Sequence, residues 1–381
     1  MRGARRTGRE GGPGMNYNMF RFGDFASFKY GKMPNKKRIT EKGDYPIYSG
    51  YRYTGFYDEY NTEANQLVIV ARGVGGTGDV KLTKERCYLT NLSIVANIDK
   101  LVALPEYLYY YFSLSNLRYL DSGSAQSQIT ISDLEKVRIP LPELRLQKCI
   151  CAILKSLDDK IELNNRINEN LEQQAQSLFK SWFVDFEPWG GVMPTDWTIS
   201  IVDEIIELHD YKRIPLSNKE RSKMEKIYPY YGAASLMDYV DNYIFDGIYL
   251  LLGEDGTVID DKGFPILQYV DGKFWVNNHA HIMTGKNGFS VETLFLFFSM
   301  TNIKGIVTGA VQPKVSQASL KRVPAIIPIR PILKQFDDNI QPIFAQIRNL
   351  RLENLTLSKV RDTLLPRLLS GSLDVSELEL S

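Results

Sequence analysis

The chain contains two copies of one sequence pattern. Residues 106–182 align with residues 292–368 without a gap, at a constant shift of 186 positions (312 − 126 = 186). The matched positions include Glu106 with Glu292, Gln126 with Gln312, and Leu178 with Leu364. Repeats that stack into solenoids have periods of about 20–50 residues, so this repeat is a duplicated module. We expect two similar globules, each followed by a long helix.

Each copy ends in a segment with heptad periodicity. Residues 144–183 contain neither Pro nor Gly, and core-type positions recur every seven residues from Ile150 and from Leu154. The second copy repeats this pattern from Phe336 and from Ile340. Heptads sustained over several turns are typical of coiled coils. Because each helix must bury an apolar stripe, we expect the two helices to pack together as an antiparallel pair.

Two polar residues interrupt the predicted seam at the same heptad position. Asn168 and Asn354 are related by the same shift, and a buried polar residue at such a position specifies helix register at some cost in stability. The alternative is that both side chains face solvent. Pro366 should kink or end the second helix, and Gly371 is a typical stop signal.

The remaining segments read as short strands with turn signals. Strands are predicted within residues 45–57, 67–71, 91–98, 249–253 and 264–270, and a short helix at 106–114. The predicted fold is therefore α+β, with two pseudo-symmetric β-rich globules joined by two long antiparallel coiled-coil helices. The predicted segments are a disordered tail at 1–14, a first globule at 15–142, a first helix at 143–187, a second globule at 188–330, a second helix at 331–372 and a loose end at 373–381.

Bulk composition excludes some classes of protein. The sequence contains no run of about 18 apolar residues, the length at which a membrane-spanning helix is predicted. Three cysteines, two of them in Cys149-Ile-Cys151, provide neither a disulfide framework nor zinc-ligand spacing, so a reducing, cytoplasmic setting fits best. The net charge of +1 does not by itself indicate nucleic-acid binding, and local basic clusters are usually solvated faces.

No motif in the chain requires catalysis. Gly73, Gly75 and Gly78 form a GxGxxG string, but the residues after it read as a strand, so a glycine-rich hairpin is favoured over a nucleotide site. His279 and His281 lack a third metal ligand at convincing spacing, so we expect no metal. Glu254-Asp255 and Asp260-Asp261 are interpreted as a solvated acidic loop.

The layout resembles the specificity subunits of type I restriction–modification systems. Residues 141–189 resemble the central conserved region of that family, 363–373 the distal conserved region, and 123–142 and 309–328 the recurring end of a recognition domain. The resemblance implies a non-catalytic reader of double-stranded DNA, each globule recognising half of a bipartite target and the helices fixing the gap. It implies docking with DNA methyltransferase subunits of an adenine-modifying complex, and with an ATP-dependent restriction subunit where one exists. S-adenosylmethionine, ATP and Mg²⁺ would be held by those partners, with no cofactor in this chain.

Base-reading residues are restricted by chemistry to polar and basic side chains on loops. The candidate DNA contacts are Lys36, Lys37, Arg38, Gln126, Gln128, Lys212, Arg213, Gln312 and Lys314. Gln126 and Gln312 occupy equivalent glycine-led loops, and a purely structural role in those loops is the competing interpretation. Two other functions remain open at this point: a stand-alone coiled-coil scaffold whose globules bind proteins, and an enzyme that uses the glycine-rich turn for a nucleotide.

Overall fold

The computed structural model describes residues 17–73, 76–121, 128–309 and 311–377. These residues form two compact units. Unit 1 comprises residues 1–162 and 354–381, and unit 2 comprises residues 163–353. Each unit therefore contains one globule together with half of each long helix. Gly75, Gln126 and the whole predicted tail at 1–14 lie outside the described residues.

Unit 1 is built on two small sheets and a two-stranded ribbon. Its elements are β1 (Asn18–Arg21), β2 (Ala26–Tyr30), β3 (Tyr45–Ser49), β4 (Arg52–Tyr57), β5 (Leu67–Val70), β6 (Val80–Leu82), β7 (Tyr88–Leu89), β8 (Ser93–Ile98), α1 (Pro105–Leu114), α2 (Ile131–Leu134) and β9 (Arg138–Leu141). The strand orders are β2-β8-β5-β6, β4-β3-β7 and β1-β9. The first long helix, α3 (Leu144–Phe183), follows and enters unit 2.

Unit 2 repeats this arrangement, with one additional strand in its second sheet. Its elements are β10 (Thr198–Ile201), β11 (Ile206–Leu208), α4 (Asn218–Arg221), β12 (Tyr228–Tyr231), β13 (Leu236–Val240), β14 (Phe245–Asp246), β15 (Tyr249–Gly253), β16 (Leu267–Val270), β17 (Lys273–Val276), β18 (Ala280–Gly285), α5 (Val291–Ser299), α6 (Gln317–Lys321), β19 (Pro324–Ile327) and the second long helix α7 (Arg330–Leu369). The strand orders are β11-β18-β15-β16, β13-β12-β17-β14 and β10-β19. The duplication predicted from the sequence is therefore confirmed at the level of topology.

Both long helices have the predicted extent, and their seams are buried. In unit 1, Ile150 and Leu154 of α3 join the same core as Leu365 and Leu368 of α7. In unit 2, Phe183 of α3 packs against Phe336 of α7, with ring centroids 4.7 Å apart. Higher numbers in α3 pair with lower numbers in α7 within each unit, so the segments run antiparallel, as predicted.

The end of α7 excludes one of the two outcomes expected of Pro366 and confirms the predicted stop. The helix continues through Pro366 to Leu369, so Pro366 does not end it. The burial of Leu365 and Leu368 offsets the cost of about 3 kcal/mol that proline imposes inside a helix. Gly371 is the stop residue, with φ +74° and its N–H donating to the Leu368 carbonyl at 3.3 Å.

Each globule is fixed to its helices by a buried polar side chain. In unit 1, Gln147 of α3 is fully buried, and its amide donates to the Val102 carbonyl at 3.0 Å and accepts from the Leu104 N–H at 2.9 Å. In unit 2, Glu292 of α5 accepts from Arg348 of α7 at 3.0 Å and from the hydroxyl of Tyr269 at 2.7 Å. No helix among the described residues is long and apolar enough to cross a membrane.

Candidate nucleic-acid interface

The glycine-rich string lies in a hairpin turn, as predicted. Gly73 and Gly78 are in the connection between the antiparallel strands β5 and β6. Gly78 has φ +89°, and a Cβ there would lie 2.5 Å from the backbone nitrogen of Arg118, so only glycine fits. A pyrophosphate site needs a helix N-terminus directly after the loop, and a strand follows here instead.

A polar cluster lies in unit 2 where β15 ends and β18 begins. His281 of β18 is fully buried, with Nδ1 2.6 Å from Oδ2 of Asp210 and Nε2 2.9 Å from the Val315 carbonyl oxygen. Both ring nitrogens face oxygen acceptors, and the ring satisfies both when it is protonated on both. Asp210 also accepts from the Ile282 N–H at 2.9 Å and from Gln317 at 2.6 Å.

Two of the candidate DNA contacts converge on this cluster. Arg213 donates to Glu254 at 2.5 Å and to the Ala280 carbonyl at 2.8 Å, and its side chain is 14% exposed. Lys314 lies 3.4 Å from the same carboxylate, but its side chain is 52% exposed. Arg213 therefore anchors the cluster, whereas Lys314 also reaches solvent.

The pKa values of the two carboxyl groups follow from these partners. Burial alone would raise the pKa of Asp210, but the hydrogen bond and charge of His281, the Ile282 N–H and Arg213 together hold it below its usual range. Burial likewise opposes ionisation of Glu254, and its hydrogen bond to Arg213, with the charges of His281 and Arg213, lowers its pKa. Both groups are therefore carboxylates at neutral pH.

Asp210, Glu254 and His281 also have the ligand types of a metal site. One ligand atom from each lies within 4.8 Å of the others, so two carboxylates that sequence spacing did not indicate lie beside His281 in space. The ligands come from distant parts of the chain, which spacing does not reveal. Each carboxylate already accepts from a cation, and a metal-bound histidine must have a free ring nitrogen. The arrangement fits an ion-pair network better than a metal centre.

A hairpin loop projects beside the cluster. Thr308 and Lys314 exchange backbone hydrogen bonds of 2.9 and 2.7 Å and close the loop. Gly309 has φ +87°, and a Cβ there would lie 2.3 Å from the Gln312 carbonyl oxygen. Val311 is 99% exposed at the tip, and Gln312 next to it is also exposed. The loop therefore presents Gln312 and Lys314 to solvent from a fixed base.

Lys212 lies on the same segment as Arg213 and is exposed. Its Nζ lies 5.6 Å from the ring centroid of Tyr211, and Tyr211 is itself 77% exposed. The structure thus brings Arg213 and Lys314 together at Glu254, next to the loop that carries Gln312, and Lys212 precedes Arg213 in the chain.

The candidates in unit 1 are placed separately. Lys36 and Lys37 are exposed in a short 3₁₀ turn that Asn35 caps by accepting from the Lys37 N–H at 3.1 Å. Arg38 is paired with Asp58 at 2.6 Å and lies 4.6 Å from the centroid of the Tyr57 ring. Gln128 is half-buried, and none of the described contacts joins it to this turn. Gln126 lies outside the described residues.

The two register residues occupy the seam. Asn168 is 8% exposed, and its Oδ1 has no hydrogen-bond partner within the described part of the chain. Asn354 is half-buried. A third seam residue, Asn164, donates to Glu353 of α7 at 2.9 Å within unit 2. A role for Asn168 and Asn354 in setting register stays a prediction.

Sequence reasoning missed two members of the polar cluster and did not bring its members together. Asp210 and Gln317 were not singled out, because no short motif joins residues more than 100 positions apart. The interpretation of Glu254 and Asp255 as a solvated loop is wrong, since their side chains are 15% and 18% exposed and ion-paired. Asp260 and Asp261 are exposed, as expected of that loop.

Comparisons with known proteins agree with this architecture. A family model described as the type I restriction modification DNA specificity domain matches residues 15–173 and again residues 194–356. The chain is 28% identical over 323 residues to the type I restriction enzyme MjaIX specificity subunit of Methanocaldococcus jannaschii, which covers 76% of this chain and 74% of that protein.

Two further similarities are partial or structural. Over 93 residues the chain is 41% identical to the type I restriction enzyme HindI specificity subunit of Haemophilus influenzae, covering 23% of this chain and 20% of that protein. The crystal structure of the type I restriction–modification system S subunit from M. genitalium superposes with a TM-score of 0.63 at 20% identity, covering 94% of this chain and 97% of that one. At that identity, the superposition concerns the fold alone.

Proposed function

The chain belongs to the type I restriction modification DNA specificity family, and we propose that each of its two units reads one half of a bipartite DNA target. The observation that carries this proposal is the duplication itself: the family model matches twice, and the two units share one strand order apart from the additional strand β14 in unit 2. Two readers on one chain suit a target with two specified halves.

The halves of the target should differ, because equivalent positions of the two units differ in chemistry. The Ile129 N–H donates to the Ala71 carbonyl at 3.0 Å in unit 1, and the Val315 N–H donates to the Glu254 carbonyl at 2.8 Å in unit 2. These bonds identify Ala71 with Glu254 as matching positions. One scaffold therefore presents an apolar residue in one unit and an ion-paired acid in the other, which supports an asymmetric target.

In unit 2 the exposed loop at 308–314 is the best-placed reader. Gln312 has both a donor and an acceptor on one amide, the arrangement that pairs with the major-groove edge of adenine. Lys314 and Lys212 are exposed cations nearby, suited to phosphate contacts that position the loop without specifying sequence. The overall charge of +1 gives little general attraction for DNA, so partner subunits should supply part of the phosphate contacts.

The long helices are proposed to fix the unspecified gap and to dock the DNA methyltransferase subunits. An ATP-dependent restriction subunit would join the same complex where the host encodes one. Catalysis, with S-adenosylmethionine, ATP and Mg²⁺, is assigned to those partners, and the chain itself contributes recognition. The absence of a catalytic motif from the sequence supports this division, as do the hydrogen bonds that already occupy Asp210, Glu254 and His281.

Genome-wide mapping of modified bases tests the proposal. A host carrying the gene should show one bipartite modified motif that disappears on deletion of the gene and returns on complementation. The purified chain alone should not turn over S-adenosylmethionine. A protein-binding scaffold would leave the modification pattern unchanged, and that result would contradict DNA recognition.

A further inference from the structure

Unit 1 has an irregularity at the end of β5. The backbone N–H groups of Ala71 and Arg72 both donate to the carbonyl of Leu92, at 2.9 and 3.2 Å. Two residues therefore lie opposite one, which is the pattern of a β-bulge. Bulges bend the strand and redirect a side chain, and they are frequent next to functional sites. Here the redirected residue is Arg72.

Three polar side chains around this bulge have buried atoms without a partner. The Nε of Arg72, the Oδ1 of Asn91 and the Oγ of Ser93 make no hydrogen bond in the described part of the chain. Arg72 also forms no ion pair with any described residue. Buried polar atoms are satisfied in the great majority of cases, and a group left unsatisfied needs an explanation. These three atoms are enclosed by the protein, so a ligand does not reach them directly. The part of the bulge that a ligand can reach is the outer end of the Arg72 guanidinium.

Arg72 is only half-buried. Its Nε is enclosed, whereas its two terminal nitrogens are not among the buried atoms. The two terminal nitrogens of the guanidinium can therefore donate to a ligand while Nε stays enclosed. This geometry suits a planar partner with two adjacent acceptors.

The equivalent position in unit 2 has the opposite charge. Because Ala71 matches Glu254, Arg72 matches Asp255, and Asp255 is hydrogen-bonded to His279. Residues that hold the shared fold together are conserved between the copies, as Glu106 and Glu292 are. A residue that reads one half-site should instead differ between them, and Arg72 does.

We propose that Arg72 reads a guanine in the half-site bound by unit 1. The acceptors N7 and O6 of guanine in the major groove match the two terminal nitrogens of Arg72. This inference rests on the proposed function and adds the residue and the base to it.

The test uses the full chain, expressed in its host with its partner subunits. The target is first mapped with the wild-type chain, and mapping is repeated with Arg72→Met and Arg72→Lys. Arg86→Met is the matched control, because Arg86 lies in the same unit, is 56% exposed and is paired with Glu63 at 2.9 Å. Binding of each complex to duplexes of the mapped target, and to duplexes with single substitutions, is then measured.

Arg72→Met should relax one guanine position in one half of the motif and leave the other half unchanged. Discrimination at that position should fall roughly 10- to 100-fold, the range for one bidentate base contact. Arg72→Lys should relax it too, because an ammonium does not reproduce the fork, and Arg86→Met should retain the wild-type motif. The melting temperature of Arg72→Met should not fall, because the variant loses no internal contact.

Other outcomes would overturn the inference in distinct ways. An unchanged motif for Arg72→Met, with modification still dependent on the gene, would refute base reading by Arg72 and leave the proposed function intact. Binding that is weakened equally for every duplex, and that depends less on salt concentration, would identify Arg72 as a phosphate contact instead. A lowered melting temperature would make it structural. A wild-type chain without any effect on modification would refute the proposed function itself.

Discussion

Replacing Asp210 with Asn should strongly destabilise unit 2. Asp210 is 8% exposed and accepts hydrogen bonds on both oxygens, from Ile282 on one and from His281 and Gln317 on the other. An amide in the same place must direct its NH₂ group at one of these donors. It also removes the negative charge that faces the buried imidazole.

The size of the effect follows from that burial. Removing one partner of a buried ion pair costs about 3–5 kcal/mol. For a unit of this size, each kcal/mol lowers the melting temperature by about 2–4 °C, so we expect a decrease of about 6–20 °C. The matched control is Asp203→Asn, because Asp203 pairs with Lys321 at 3.0 Å but is 46% exposed. That variant should melt close to the wild type.

Tryptophan fluorescence measures this transition selectively. All four tryptophans of the chain, Trp182, Trp189, Trp197 and Trp275, belong to unit 2. A fluorescence melt of the full chain therefore reports unfolding of unit 2 alone. If Asp210→Asn and Asp203→Asn melted at the same temperature as the wild type, the cluster would not be a buried network and the reasoning would be wrong.

Three further outcomes are expected. The folded-state pKa values of Asp210 and Glu254 are lowered. The stabilisation that these carboxylates provide is therefore complete above the unfolded pKa of about 4 and is lost as the pH falls through the folded values. The fluorescence melting temperature should drop in acid, and it should drop less steeply in Asp210→Asn. Gln147→Leu should destabilise unit 1, since buried backbone groups left without a partner cost about 1–3 kcal/mol each. Circular dichroism should show a lower melting temperature for unit 1. The tryptophan fluorescence transition of unit 2 should be unchanged and serves as the control. One heptad inserted after Glu162 and a matching heptad after Glu353, at the boundary between the units, add about 10 Å of helix. The unspecified gap of the modified motif should then lengthen by roughly three base pairs at about 3.4 Å each. An unchanged gap in an active variant would show that the helices do not set the gap length.

The long helices could be predicted from the sequence because their signal is local and repeated. The heptads of 144–183 place a core residue at every seventh position, and the observed helix has the same bounds. The glycine-rich turn was also predictable, since the residues after Gly78 alternate as a strand. The continuation of α7 past Pro366 could not be predicted from helix propensity, because the burial of Leu365 and Leu368 opposes it and is a tertiary effect.

The polar sites were largely beyond sequence reasoning. Asp210, Glu254 and His281 meet only after three separate segments are brought together by the sheet. Arg72 belongs to no sequence motif, because its significance depends on a bulge and on the lack of a partner among the described residues. The repeat did contain one usable clue: positions that differ between the copies, such as Arg72 and Asp255, are better candidates for reading different half-sites than positions that match.

Exchange of one globule tests the two-reader account most directly. Residues 15–142 of this chain are replaced by the corresponding segment of another specificity subunit, and modified bases are mapped genome-wide in the host. The account predicts a motif in which one half is replaced by a half-site of the donor subunit, while the other half remains as before. A motif in which both halves change together, or in which neither changes although the hybrid is active, would contradict it.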